Sequence, residues 1–234
     1  EINPLVVNIC RSWFKLPPDS DTLRVGGDYQ HQGMDDWWPP VAGSMMMGPN
    51  PFININNGRR DRLGLFGEWE SHWTDRLSTS IGARFDRVRM NTGDVQPYGT
   101  GMMNMADAMA AEAFNARSHR RTDNNWSATA LASWQASDLL AFELGYAHKS
   151  RAPNLYERYA WGRGAMASQM IGWYGDGNGY VGNLDLKSEQ ADTVSAALRL
   201  TAKGGATLKI SPYYTRVNDY ILSLIHISEP TRQE

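Results

Sequence analysis

Several things are scarce in this chain, and each scarcity excludes a class. Of its 234 residues one is a cysteine, Cys10, which excludes a disulfide-stapled scaffold and a cysteine-based zinc module. Basic and acidic side chains number 23 and 25, a net charge of -2, so the one-signed footprint of a nucleic-acid binder is missing. The sequence holds no apolar run of about 18 residues, which excludes a transmembrane helix. The five histidines, at 31, 72, 119, 148 and 226, fall in no His-Glu-x-x-His arrangement, and there is no Gly-x-Ser-x-Gly, so neither a zinc protease nor a hydrolase nucleophile turn is written here. What the chain does have is 22 glycines, the mark of a turn-rich β protein, together with nine tryptophans and eleven methionines.

The strongest pattern is alternation with a period of two, which puts every second side chain on one face of a strand. Leu63, Leu65, Gly67, Trp69, Ser71 and Trp73 alternate with Gly64, Phe66, Glu68, Glu70 and His72. After Thr74-Asp75 the pattern resumes as Leu77, Thr79, Ile81, Ala83 and Phe85 against Arg76, Ser78, Ser80, Arg84 and Asp86. Two such runs with so short a connection predict an antiparallel hairpin. The unit recurs over Asn124–Gln135 and Leu140–Lys149, turning at Ala136–Asp138. It recurs again over Asp192–Ala202 and Thr207–Tyr220, turning at Lys203-Gly204-Gly205. With Thr22–His31 in front, seven strands are predicted.

The connections are lopsided. Turns inside hairpins take two or three residues, whereas Gln32–Arg59, Asn91–Asp123 and Ser150–Gln190 are predicted as long loops; loops beyond about 15 residues are uncommon in compact domains. Short turns at one end and long loops at the other are the layout of an outer-membrane β-barrel. Strands of about 10 to 14 residues are long enough to cross a bilayer at a tilt. Trp69, Trp73, Trp126, Trp134, Tyr146 and Tyr220 fall near strand ends, where aromatic girdles sit. The fold class expected is therefore all-β: an antiparallel transmembrane β-barrel segment with short periplasmic turns and long extracellular loops. Seven strands leave sheet edges whose unpaired backbone groups lipid cannot satisfy, so the chain is expected to be part of a larger barrel.

The third long loop carries an ordered signature. Ser150 is followed by Arg151, Ala152, Pro153, Asn154, Leu155, Tyr156, Glu157 and Arg158; then come Gly182, Asn183, Leu184, Asp185, Leu186, Lys187, Ser188 and Glu189. Pro153 breaks strand pairing, Gly182-Asn183 supplies a turn, and the charges of Arg151, Glu157 and Arg158 belong at a rim or in a lumen. These are architectural roles. The signature, with Tyr213–Ile221 as the following strand, resembles the C-terminal barrel region of TonB-dependent outer-membrane receptors. Ser188 departs from the family's usual proline. The resemblance implies a barrel of about 22 strands closed by an N-terminal plug outside this sequence, an outer-membrane location in a Gram-negative bacterium, and import driven by the TonB complex through the plug. It implies cargo such as an iron-siderophore, haem, cobalamin or copper, with no intrinsic cofactor and no catalysis. A barrel adhesin or barrel enzyme without TonB coupling is the alternative; the first would lack the signature, and the second would need a convergent catalytic set at the rim.

Methionines concentrate outside the predicted strands. Met45, Met46 and Met47 fall in the first long loop, with His31 and Met34 just upstream; Met102, Met103, Met105 and Met109 fall in the second. Thioethers are soft ligands that favour Cu(I), and imidazole complements them, so His31, Met34, Met45, Met46, Met47, Met102, Met103 and Met105 are the candidate metal ligands. Methionine also fills irregular packing, and Met105 and Met109 with Ala106, Ala110 and Ala113 fit the apolar stripe of a short helix. Glu68, Glu70, Arg84 and Asp86 share the polar register of one hairpin and are read as lumenal charges. Gly175–Gly179 has a single acid and is read as a loop tip, since a calcium loop carries several.

The ends fit poorly. Residues 222–234 include LSLIHISEPTRQ, which resembles the translated read-through of a sequencing adaptor, so this tail and His226 are set aside. Residues 1–15 are likewise set aside as a non-native or uncertain stretch, although Leu5–Ile9 has strand character, and residues 16–221 are assigned to the partial barrel.

Overall fold

The computed structural model describes residues 21–164, 170, 180–202 and 204–221. Cys10, the strand-like Leu5–Ile9, the Gly175–Gly179 loop tip, Lys203 and the tail with His226 lie outside them. Eight strand segments form one antiparallel sheet: β1 (Asp21–Trp38), β2 (Phe52–Thr74), β3 (Leu77–Asn91), β4 (Arg121–Ser137), β5 (Leu140–Arg151), β6 (Glu189–Thr201), β7 (Thr207–Ile210) and β8 (Tyr213–Asn218). β1 through β7 pair in chain order, and β8 also pairs with β6. Leu198 faces Ile210 and Ser195 faces Tyr213, so both segments hold one register and the eight are seven strands, the last interrupted at Ser211-Pro212. Pro212 has no N–H for a ladder, but its carbonyl still accepts from Ala196 at 3.0 Å, which keeps the register across the break.

The hairpins are closed as their sequences predict. Thr74 and Leu77 flank the first turn and Ser137 and Leu140 the second. The third closes through Ala202 N–H to Ala206 O at 2.7 Å, with Gly205 at φ 85°, a conformation that favours glycine. At the other end the long connections carry a 3₁₀ turn (Met102–Asn104) and helices α1 (Met105–Asn115) and α2 (Leu155–Tyr159).

β1 and β2 are longer than the alternation predicts, at 18 and 23 residues. The first long loop therefore shrinks from Gln32–Arg59 to the residues between Trp38 and Phe52. The reason is local. Register shifts between Met34, Asp36 and Trp37 interrupt the period of two, and Asn57 sits at φ 49°. The hairpin continues past these irregularities, where Phe52 and Ile55 turn inward and are fully buried.

One face of the sheet is apolar across every strand. Val25, Leu65, Ile81, Phe85, Trp126, Trp134, Leu144, Val194, Leu208 and Ile210 all lie on it and are exposed, in register from one ladder to the next. Along β2 it runs from Leu63 to Trp73, about ten residues, which at roughly 3.3 Å per residue and a tilt near 40° makes a band about 25 Å tall. Near the short turns Trp69 and Trp73 meet edge to face, and Trp134 stacks on Phe142. Towards the long loops stand Tyr29, Trp126, Tyr146 and Tyr214. The hydrophobic core lies above this band, where Phe52, Ile55, Val88, Met90, Val95, Tyr98, Phe114, Leu155, Tyr159, Trp161 and Leu184 pack between the tops of β2 and β3 and the loops.

Candidate functional site

The two halves of the loop signature come together as one knot. β5 ends at Arg151 and Pro153 turns the chain out of the sheet. Asn154 and Glu157 then form a capping box on α2: Glu157 N–H donates to Asn154 Oδ1 at 2.8 Å and Asn154 N–H to Glu157 Oε2 at 2.7 Å. Arg151 bridges Glu157 at 3.0 Å and Glu189 at 2.9 Å, tying the departing strand to the returning one. Arg158 is buried and clasps Asp123 of β4 at 2.7 and 3.1 Å, with a further bond to Leu186 O. Asn183 N–H donates to Glu157 O and Gly182 N–H to Ala160 O. A methyl group on Gly182 would stand 2.7 Å from Tyr156 O and 2.9 Å from Ala160 N, so backbone approach alone requires glycine there. Ala152 and Leu155 fill the core beneath. The knot ties the third loop to the tops of β4, β5 and β6.

Further bonds lock the second loop to the third. Tyr159 Oη donates to His119 O at 2.8 Å, and the buried His119 ring bonds the carbonyls of Thr92 and Phe114. Asp107 of α1 accepts from the N–H groups of Arg163 and Gly164. Arg117 pairs with Asp185 at 2.6 Å and holds its carboxyl below the usual carboxylate range. Burial and the Asp36 carboxylate push the Tyr156 hydroxyl up to about 12. Burial raises Tyr159 as well.

Opposite the apolar face, the inner register carries a charge network wider than the four residues read from the sequence. Arg84 bonds Asp86 and Asp28, and Arg62 bonds Asp28 at 2.8 Å. Arg24 reaches Glu68 at 3.4 Å and Glu70 at 3.1 Å. Gly64 lies beneath: any Cβ there would strike the Arg84 guanidinium, Asp28 and Asp86. Asp28, Arg62 and Arg24 were not among the expected residues, because they lie on β1 or in registers whose cross-strand neighbours only the ladder reveals. A cavity of about 540 Å³ beside this network is lined by Glu68, Arg84, Asp86, Ser127, Lys149 and Ser150. Asp123 was missed because its partner, Arg158, reaches it from the third loop.

The candidate metal ligands divide. His31 lies on the outward face of β1 and bonds Asp61 at 2.7 Å, whereas Met34, three residues on, points inward and packs on the loop core. Both stand on a strand, apart from the loop methionines. Met45 is 82% and Met102 89% exposed, and Met103, Met105 and Met109 are exposed too; Met46 and Met47 are half-buried, their N–H groups bonded to Ser44 Oγ. α1 does form, but it buries Asp107, Ala111 and Phe114, so Met105 and Met109 face outward rather than forming its packed stripe. The first two loops adjoin through Asn50 N–H to Tyr98 O and Ile53 N–H to Gln96 O. Among the described residues no three His, Cys, Asp or Glu side chains cluster as a metal site.

An antiparallel sheet with an apolar exposed band, a charged inner face, short turns at one end and a packed loop layer at the other is the wall of a transmembrane β-barrel. The chain belongs to the TonB dependent receptor-like, beta-barrel family, which it matches over residues 11–229. This is a family of transport receptors. No curated protein sequence matches the chain. Among solved structures it is similar to "Copper transporter OprC", with a TM-score of 0.57 and 16% identity over 86% of this chain and 28% of that one. It is also similar to a double mutant of the Serratia marcescens hemophore receptor HasR in complex with its hemophore HasA and heme, with a TM-score of 0.50 and 14% identity over 86% of this chain and 32% of that one. The chain thus spans less than a third of the length of either structure.

Proposed function

We propose that the chain is part of the barrel of an outer-membrane receptor that binds a metal or metal chelate on its outer loops and imports it by coupling to the TonB complex through a plug outside this sequence. Family membership supports the transport reading, and the observation that carries the metal is the exposed thioether surface of Met45, Met102, Met103 and Met105 on two adjoining loops. Thioethers exposed to water cost burial energy without a packing return, and a soft cation, Cu(I) above all, repays them. The similar structure named as a copper transporter agrees with this choice, and the one holding a hemophore and heme keeps metal chelates in view. Met46 and Met47 complete the first-loop group, while His31 and Met34 take no part. The test is Cu(I) competition against a chromogenic chelator with the receptor carrying Met45, Met46, Met47, Met102, Met103 and Met105 replaced by Leu. Affinity should fall by at least about tenfold; unchanged affinity would exclude these ligands and leave a preformed chelate as the cargo.

A further inference from the structure

Arg89 stands directly across the β2–β3 ladder from Asp61, yet the two form no ion pair. The Asp61 carboxylate turns instead to β1, where it accepts from Tyr29 Oη at 2.7 Å and bonds His31 Nδ1 at 2.7 Å. Arg87 and Arg89 are exposed and, among the described residues, neither has a hydrogen-bond or ion-pair partner. Arg59, which faces Asn91 one pair further up the same face, adds a third guanidinium, held only by a 3.4 Å bond to Asn57. The other carboxylate at this height, Asp35, accepts from Asn57 N–H.

The position of these cations is as telling as their freedom. They point outward, away from the lumen, in the register of Phe85 and Leu63, directly above the apolar band on the long-loop side. At the opposite end of the band this register carries Trp73, Thr79, Trp134 and Phe142 and no Lys or Arg. A guanidinium held at an apolar boundary, where the local dielectric is low, gains most from a charged partner. Its planar fork matches a phosphate better than an ammonium would. The Tyr29–His31–Asp61 cluster keeps the facing carboxylate occupied, as Asn57 N–H does Asp35, and so leaves the two arginines for an external anion.

We propose that Arg87 and Arg89, flanked by Arg59, dock the phosphate groups of a phosphorylated glycolipid in the outer leaflet. The proposal rests on the outer-membrane placement of the barrel and is independent of the cargo. The test uses the receptor in dodecylmaltoside micelles titrated with diphosphoryl lipid A, with bound lipid counted by native mass spectrometry. Wild-type receptor should retain lipid A and R87Q/R89Q should bind it at least about tenfold more weakly. Arg24→Gln, on the inner face, should bind as wild type does, and millimolar inorganic phosphate should not compete. Equal retention by R87Q/R89Q, equal loss in Arg24→Gln, or displacement by inorganic phosphate would each overturn the proposal. Receptor that stays soluble without detergent would instead contradict the membrane placement, a distinct failure.

Discussion

Arg158 Nη1 lies 2.7 Å from Asp123 Oδ2, and the arginine side chain is 1% exposed. The pair joins a five-residue helix in the third loop to the top of β4, and Leu186 O and Met90 Sδ accept further bonds from the guanidinium. Buried pairs of this kind do little for net stability while intact, but removing one partner leaves a charge with nothing to balance it.

Asp123→Leu should therefore destabilise the outer-loop layer by about 3–5 kcal/mol, read as a lower thermal midpoint and faster proteolysis between Arg151 and Glu189. D123L/R158L should recover a large part of the loss. A double variant as fragile as the single one would show that the pair itself, and not the orphaned charge, holds the loop.

Gly182→Ala meets only backbone atoms, and backbone cannot swing aside. The chain from Tyr180 to Leu186 should lift off α2, breaking the Gly182–Ala160 and Asn183–Glu157 bonds, and amide exchange there should rise sharply. Unchanged protection would mean that the turn has more room than its contacts imply.

Alkaline pH should loosen the same layer. Burial and the Asp36 carboxylate push the Tyr156 hydroxyl up to about 12, above the ordinary phenol value of about 10, so the folded state favours the neutral phenol. Its contribution to stability is whole below pH 10 and is lost as pH rises towards 12. Unfolding monitored across that window should steepen for the wild type and flatten for Tyr156→Phe.

On the inner face, Gly64→Ala should force apart the Arg84, Asp28 and Asp86 groups at a cost of about 1–3 kcal/mol, measurable by denaturant unfolding of the receptor in lipid vesicles. Gly67→Ala, whose Cβ meets Val25 at an ordinary 3.8 Å, is the matched control and should be near neutral.

The strands, their order and the lopsided connections were legible because alternation reports directly on a sheet with one apolar and one charged face. The loop signature was legible in part: Pro153 and Gly182-Asn183 are local devices and were read from the sequence, whereas the equally local Asn154–Glu157 capping box was not. Asp123 as the partner of Arg158, and Asp28 as the partner of Arg62 and Arg84, were not legible, because the pairs span 34 to 56 residues and depend on ladder register or on where the third loop folds back over β4. The upper halves of β1 and β2 were hidden by register shifts that break the period of two. The outward exposure of Met105 and Met109 was hidden because α1 buries Asp107, a polar residue that serves the backbone of the third loop.

The most direct test of the account is a pair of nitroxide scans along β3, β4 and β5 of the vesicle-inserted receptor in a Cys10→Ser background. Labels at Ala83, Ala130 and Leu144 should collide readily with dissolved oxygen and little with a water-soluble nickel chelate, while labels at Gly82, Thr129 and Glu143 should show low oxygen accessibility. Equal accessibility in the two registers would contradict a barrel wall with its apolar face in lipid.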